Sequence, residues 1–117
     1  MEHAARPDLV HKAICAGQVQ WKPKAAEIMR QNPDTRGFTT NWVKGILCEF
    51  VLAKGRGCIR ARRETNEYWL EAEPDDPWWY KVNIELEDRP KRLFVKMRLV
   101  DPDDEDDPWV DIVGCHF

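Results

Sequence analysis

Apolar residues in the first half of the chain recur at three- and four-residue steps. Leu9, Val10, Ala13 and Ile14 fall on one helical stripe that Pro7 and Asp8 open and Gly17 is placed to stop. An extended piece, "QVQW", leads to a second helix opened by Pro23, running through Ala26, Ile28 and Met29 and ending near Asn32 and Pro33. The third helix has Thr39 or Thr40 as its cap. Trp42, Val43, Ile46, Leu47, Phe50 and Val51 mark its apolar side, with Trp42 expected in the core, and Gly55 closes it.

After Gly55 the period changes from helical to two. "GCIRARR" (57–63) and "EYWLEAE" (67–73) read as a hairpin around Glu64 to Asn66. "WWYKVNIEL" (78–86), "RLFVKMRLV" (92–100) and "WVDIVGC" (109–115) read as three more strands. Helices followed by strands imply an α+β fold in which about three N-terminal helices pack on one face of a twisted antiparallel sheet. The expected organisation is a single compact domain, 1–117, with a helical part at 7–55 and a sheet part at 57–117.

The apolar parities of the strands then face the helices, which leaves a cationic face opposite. Arg60 and Arg62 share one parity, Lys81 and Asn83 another, and Arg92, Phe94, Lys96 and Arg98 a third. Of the adjacent Trp78 and Trp79, one points inward and the other outward, and Trp79 beside Lys81 suits a stacking platform or a protein interface. Such a surface fits a polyanion: arginine forks a phosphate, lysine supplies a point charge, and a ring stacks an unpaired base. It equally fits a solvated sheet face whose cations balance Glu71, Glu73 and Glu85.

Composition narrows the choice. The chain has 117 residues and a formal net charge of −3, so any nucleic-acid affinity is local, not global. No apolar run approaches bilayer length and no leader-like apolar stretch opens the chain, so a cytoplasmic protein without a membrane partner is the expectation. Cys15, Cys48, Cys58 and Cys115 are scattered without paired spacing, and Cys15 and Cys48 sit at apolar helical positions; no metal or other cofactor is expected. The run "DPDDEDDP" (101–108) lacks the alternating pattern of a calcium loop and reads as a solvated, self-repelling connection.

Two segments resemble the MqsR family of bacterial ribonuclease toxins, part of the wider RelE-like group. "LVHKAICAGQVQW" is similar to that family's first helix and its "AGQV" element. "RLFVKMRLV" resembles its "VYLKI" strand, and "WVDIVGCHF" its terminal "VLIVSFK" strand. The resemblance implies a RelE-like fold and a metal-independent endoribonuclease acting on mRNA, held inactive by an antitoxin protein. The family's catalytic tyrosine falls on Phe94, its neighbouring lysine on Lys96, and its basic residue on the last strand on His116. Phenylalanine lacks the hydroxyl, so stacking survives at position 94 and proton transfer does not. The long acidic run before Trp109 is a second departure.

In the chemistry so implied, the 2′-hydroxyl attacks the adjacent phosphorus and the 5′-oxygen leaves. Lys96 and Arg98 are the candidate charge stabilisers, with Arg60 or Arg62 as the alternative, and His116 the candidate general acid or base. Arg60, Arg62, Trp79, Lys81, Arg92 and Phe94 are candidate RNA contacts. Simple parity puts His116 with Val110 and Ile112 on the core face, unless Gly114 marks a bulge that reverses it. The competing reading is a catalytically inert module that grips protein or nucleic acid with the same surface.

Overall fold

Proline opens both short helices. Pro7 starts α1 (Pro7–Cys15) and Pro23 starts α2 (Pro23–Gln31), each at a position where a missing N–H costs nothing. Gly17 and Gly55, at φ 72° and 80°, take the positive-φ backbone that glycine adopts without strain, the latter donating its N–H to Val51 at 2.8 Å after α3 (Thr40–Lys54). Thr39 caps α3, its hydroxyl accepting the Trp42 N–H at 3.0 Å. Trp42 itself is 42% exposed and lies on Phe38 with ring centroids 4.6 Å apart, so it is not the core residue the spacing suggests. It belongs to the first turn, before the helix passes under the sheet.

The computed structural model describes residues 1–117. The strands are β1 (Val19–Trp21), β2 (Arg60–Arg63), β3 (Trp78–Ile84), β4 (Leu93–Leu99) and β5 (Val110–His116), and a fourth helix, α4 (Glu67–Ala72), lies between β2 and β3. Their order across one sheet is β1-β5-β4-β3-β2. All pairings are antiparallel except β1 with β5, which are parallel, so the fold is α+β with a mixed sheet. The "QVQW" piece supplies that edge: Val19 lies beside Val110 and Trp21 beside Ile112.

Residues 67–73 differ from the strand expected there. Tyr68 and Leu70 fit the strand period, but the cap decides: the Asn66 side chain accepts the Tyr68 N–H at 2.9 Å and starts a helix. Consequently β2 pairs with β3, with Arg60 opposite Lys81 and Arg62 opposite Trp79, and no hairpin forms around 64–66. The helical and sheet parts also interleave, since β1 falls within 7–55 and α4 within 57–117.

One core holds the layers together. Leu9, Val10, Ala13 and Ile14 of α1 and Val43, Leu47 and Val51 of α3 pack on Tyr80, Val82 and Ile84 of β3, Leu93, Val95, Met97 and Leu99 of β4, and Val110, Ile112 and Cys115 of β5. Each such side chain contributes roughly 1.5–3 kcal/mol on burial. Alternation then puts Phe94, Lys96 and Arg98 on the opposite face. There α4 covers one end, with the Trp69 ring 5.0 Å from the Arg98 guanidinium.

Candidate functional site

Strand register assembles the outer face. Arg60, Lys81 and Lys96 are successive cross-strand neighbours on β2, β3 and β4, and Gly114 of β5 completes the row. Like charges directly opposite each other repel, so a row of three cations is an unfavourable way to finish a sheet unless an anion occupies it. Neither Arg60 nor Lys81 has a carboxylate within salt-bridge distance, and Arg62 donates only to the Ala61 carbonyl, at 3.1 Å. Lys96 is held: its Nζ lies 3.6 Å from Glu64 and 4.7 Å from the centre of the Trp79 ring.

Rings flank this row on both sides. Trp79, opposite Arg62, lies 6.0 Å from Phe94, and Phe94 stacks on His116 with centroids 4.9 Å apart and planes inclined by 26°. Asn83, Phe94 and His116 are register partners across β3, β4 and β5. His116 reaches this face because β5 is irregular. Met97 pairs with Ile112 while Lys96 pairs with Gly114, so Val113 is an extra residue that inverts the alternation beyond it. Cys115 therefore enters the core and His116 leaves it, as the bulge alternative requires. The His116 ring is exposed, with Nδ1 3.0 Å from the Phe117 carbonyl oxygen.

Arg98 differs from the free charge stabiliser expected of it. It is 1% exposed, and its guanidinium donates to Glu64 at 2.9 Å, to Glu73 at 3.0 Å and to the Asp76 carbonyl at 2.6 Å, beneath Trp69. Those groups come from both flanks of α4, so Arg98 fastens that helix to the sheet and is buried out of a phosphate's reach. Asp76 is the least comfortable member. Its Oδ2 is buried without a hydrogen-bond partner, 4.0 Å from Arg98, and burial pushes its carboxyl above the ordinary range against the pull of that arginine. Arg92 lies just before β4 and is paired with Glu85 at 2.9 Å, at the margin of the surface.

Glu64, Trp69, Glu73 and Asp76 thus belong to the site although parity does not single them out. The available signal is the Asn66 cap with Pro74 beyond, which marks a short helix between charged flanks.

No family model, curated protein or solved structure matches the chain.

What the outer face can do therefore follows from its own chemistry. Unpaired cations and stacked rings suit phosphates and bases. No group of three or more His, Cys, Asp or Glu side chains is arranged to hold a metal ion, and no helix is long and apolar enough to cross a membrane. Three of the thiols offer little reactivity: burial raises Cys48 and Cys58 and pushes Cys115 up to about 12. The acidic run does not float free. Glu105 accepts from Arg6 at 2.6 Å and, through its carbonyl, from Lys12 at 2.7 Å, and Asp107 accepts from Gln18, so the loop is drawn along α1. It leaves β4 at the Leu99 end, away from Phe94 and His116.

Proposed function

We propose that the outer sheet face binds single-stranded RNA. The observation that carries this reading is the register row Arg60–Lys81–Lys96, whose first two cations have no carboxylate partner, set between the rings of Trp79 and Phe94. Phosphates meet the cations, and unpaired bases stack on the rings. Duplex RNA is disfavoured, because its bases already stack on one another and their faces are closed to the protein. RNA over DNA, mRNA as the source, and an antitoxin as protein partner rest on the resemblance to MqsR-like toxins.

A second reading, metal-free RNA cleavage, is favoured by one observation: the Val113 bulge brings His116 onto the same face as Lys96. Imidazole exchanges a proton near neutral pH, and Lys96 supplies positive charge for the phosphate oxygens. His116 takes the proton of the 2′-hydroxyl or returns one to the departing 5′-oxygen. The 2′-oxygen–phosphorus bond forms as the bond to the 5′-oxygen breaks, leaving a cyclic phosphate and a free 5′-hydroxyl.

One titration tests both readings. Anisotropy of a fluorescein-labelled oligouridylate in EDTA is expected to show salt-sensitive binding, weaker for the same sequence in duplex. Product analysis is expected to show cyclic-phosphate ends that His116→Ala lowers by roughly 10²–10⁴-fold, a loss far larger than any change in affinity. Binding without cleavage leaves the inert module. Absence of binding at low salt overturns the RNA reading altogether.

A further inference from the structure

A groove of about 570 Å³ opens between α2 and α4 on the same face of the sheet as the cationic row. Ala25 and Ile28 form one wall, Tyr68 and Trp69 the other, and Val113 lies in the floor. Lys22 and Lys24 stand at its rim. In a chain with 21 Asp and Glu residues, none lines this groove. Lys24 has no carboxylate within salt-bridge distance, and Lys22 reaches only Asp111, at 3.5 Å.

Two features suit the groove to a nucleotide. Tyr68 is 67% exposed, set edge-on to Trp69 with centroids 5.2 Å apart, so one ring face is available for a base. The groove also adjoins the platform described above. Its Trp69 covers Arg98, Arg98 and Lys96 share Glu64, and Lys96 touches Trp79. Val113, in the floor, is the bulge residue next to Gly114, the partner of Lys96. Rings and cations therefore continue from His116 and Phe94 past Lys96 to Tyr68.

We propose that this groove is a second base-stacking subsite for the same single strand, with Tyr68 as its stacking residue and Lys24 as its phosphate contact. The inference rests on the RNA reading and adds to it a length requirement. A trinucleotide fills the platform around Phe94 and Trp79; a longer strand also reaches the groove. Stacking one more base on an aromatic ring and adding one phosphate contact tightens binding about tenfold or more.

The test measures anisotropy of labelled 2′-O-methyl-oligouridylates, whose capped 2′-oxygen cannot attack, as a trinucleotide and as an octanucleotide against the full chain. The octanucleotide is expected to bind at least about tenfold tighter. Tyr68→Ala and Lys24→Glu, both at the surface, are expected to remove most of that advantage and leave the trinucleotide unchanged, whereas Phe94→Ala weakens both. Octanucleotide binding that Phe94→Ala lowers and neither groove variant touches overturns the groove and spares the platform. Failure of both oligonucleotides to bind overturns the RNA reading and the groove with it. If Tyr68→Ala alters self-association in sedimentation and not RNA affinity, the groove is a protein-docking surface and the proposal falls.

Discussion

Lys96 and Arg98 stand two residues apart on one strand and point the same way, yet they sit in opposite circumstances. Arg98 is enclosed by Glu64, Glu73, Asp76 and the Trp69 ring and is shut off from solvent. Lys96 retains 24% side-chain exposure beside Trp79 and next to the unpaired Lys81. The outward side of β4 is thus divided into a closed end, which fixes α4, and an open end, which faces solvent. The division shows that a strand's outward cations form no single class. What decides is how many carboxylates another segment brings over them: Glu64 alone reaches Lys96, whereas Glu64, Glu73 and Asp76 enclose Arg98.

Substitutions at the two ends should separate by kind of effect as well as size. Arg98→Ala leaves buried carboxylates without their counter-charge and is expected to cost about 3–5 kcal/mol in denaturant unfolding. Similar stability for this variant and the wild type would show that the closed end is not a fastening. At the open end, Phe94→Ala is expected to weaken oligouridylate binding by about 1–3 kcal/mol. Unchanged affinity would remove Phe94 from the platform.

Lys81→Ala is subtler. It should leave stability within about 0.5 kcal/mol, because nothing in the protein pairs with the side chain. The slope of log affinity against log salt should become shallower by about 0.7 for a lost single-strand phosphate contact. An unaltered slope places the strand elsewhere.

The smallest effect belongs to Asp76. Burial raises its carboxyl above the ordinary 3.8, so its protonated form favours the folded state. That contribution is complete below the unfolded-state value and is lost as pH rises through the folded one. Asp76→Asn is therefore expected to gain on the wild type as pH is raised from acid to neutral, seen in paired melts. A constant difference between the two proteins would show that Asp76 does not titrate with folding.

Much of the open end is legible in the sequence, since period-two alternation alone aligns Arg60, Lys81, Phe94 and Lys96 outward once the strands pair. The closed end is not. Arg98 has the same parity as Lys96, and only the chain's return through 64–76 encloses the one while touching the other through Glu64 alone. His116 marks a different limit, because a single extra residue in β5 decides its side, and the sequence offers Gly114 as the only hint. The edge strand β1 is too short for alternation to declare it, and its partner lies near the far end of the chain.

That last pairing bears on how the molecule comes to be made. Val19 must meet Val110, so the sheet closes across nearly the whole length of the polypeptide, and contacts between such remote positions slow the search for the native arrangement. Until β5 slides between β1 and β4, the flank of β4 lies bare, its amide and carbonyl groups open to a neighbouring chain. Substitutions that delay this insertion, such as those in the buried Ile112 or Val110, should therefore reduce yield through clumping during refolding as well as lower the melting temperature of molecules already assembled.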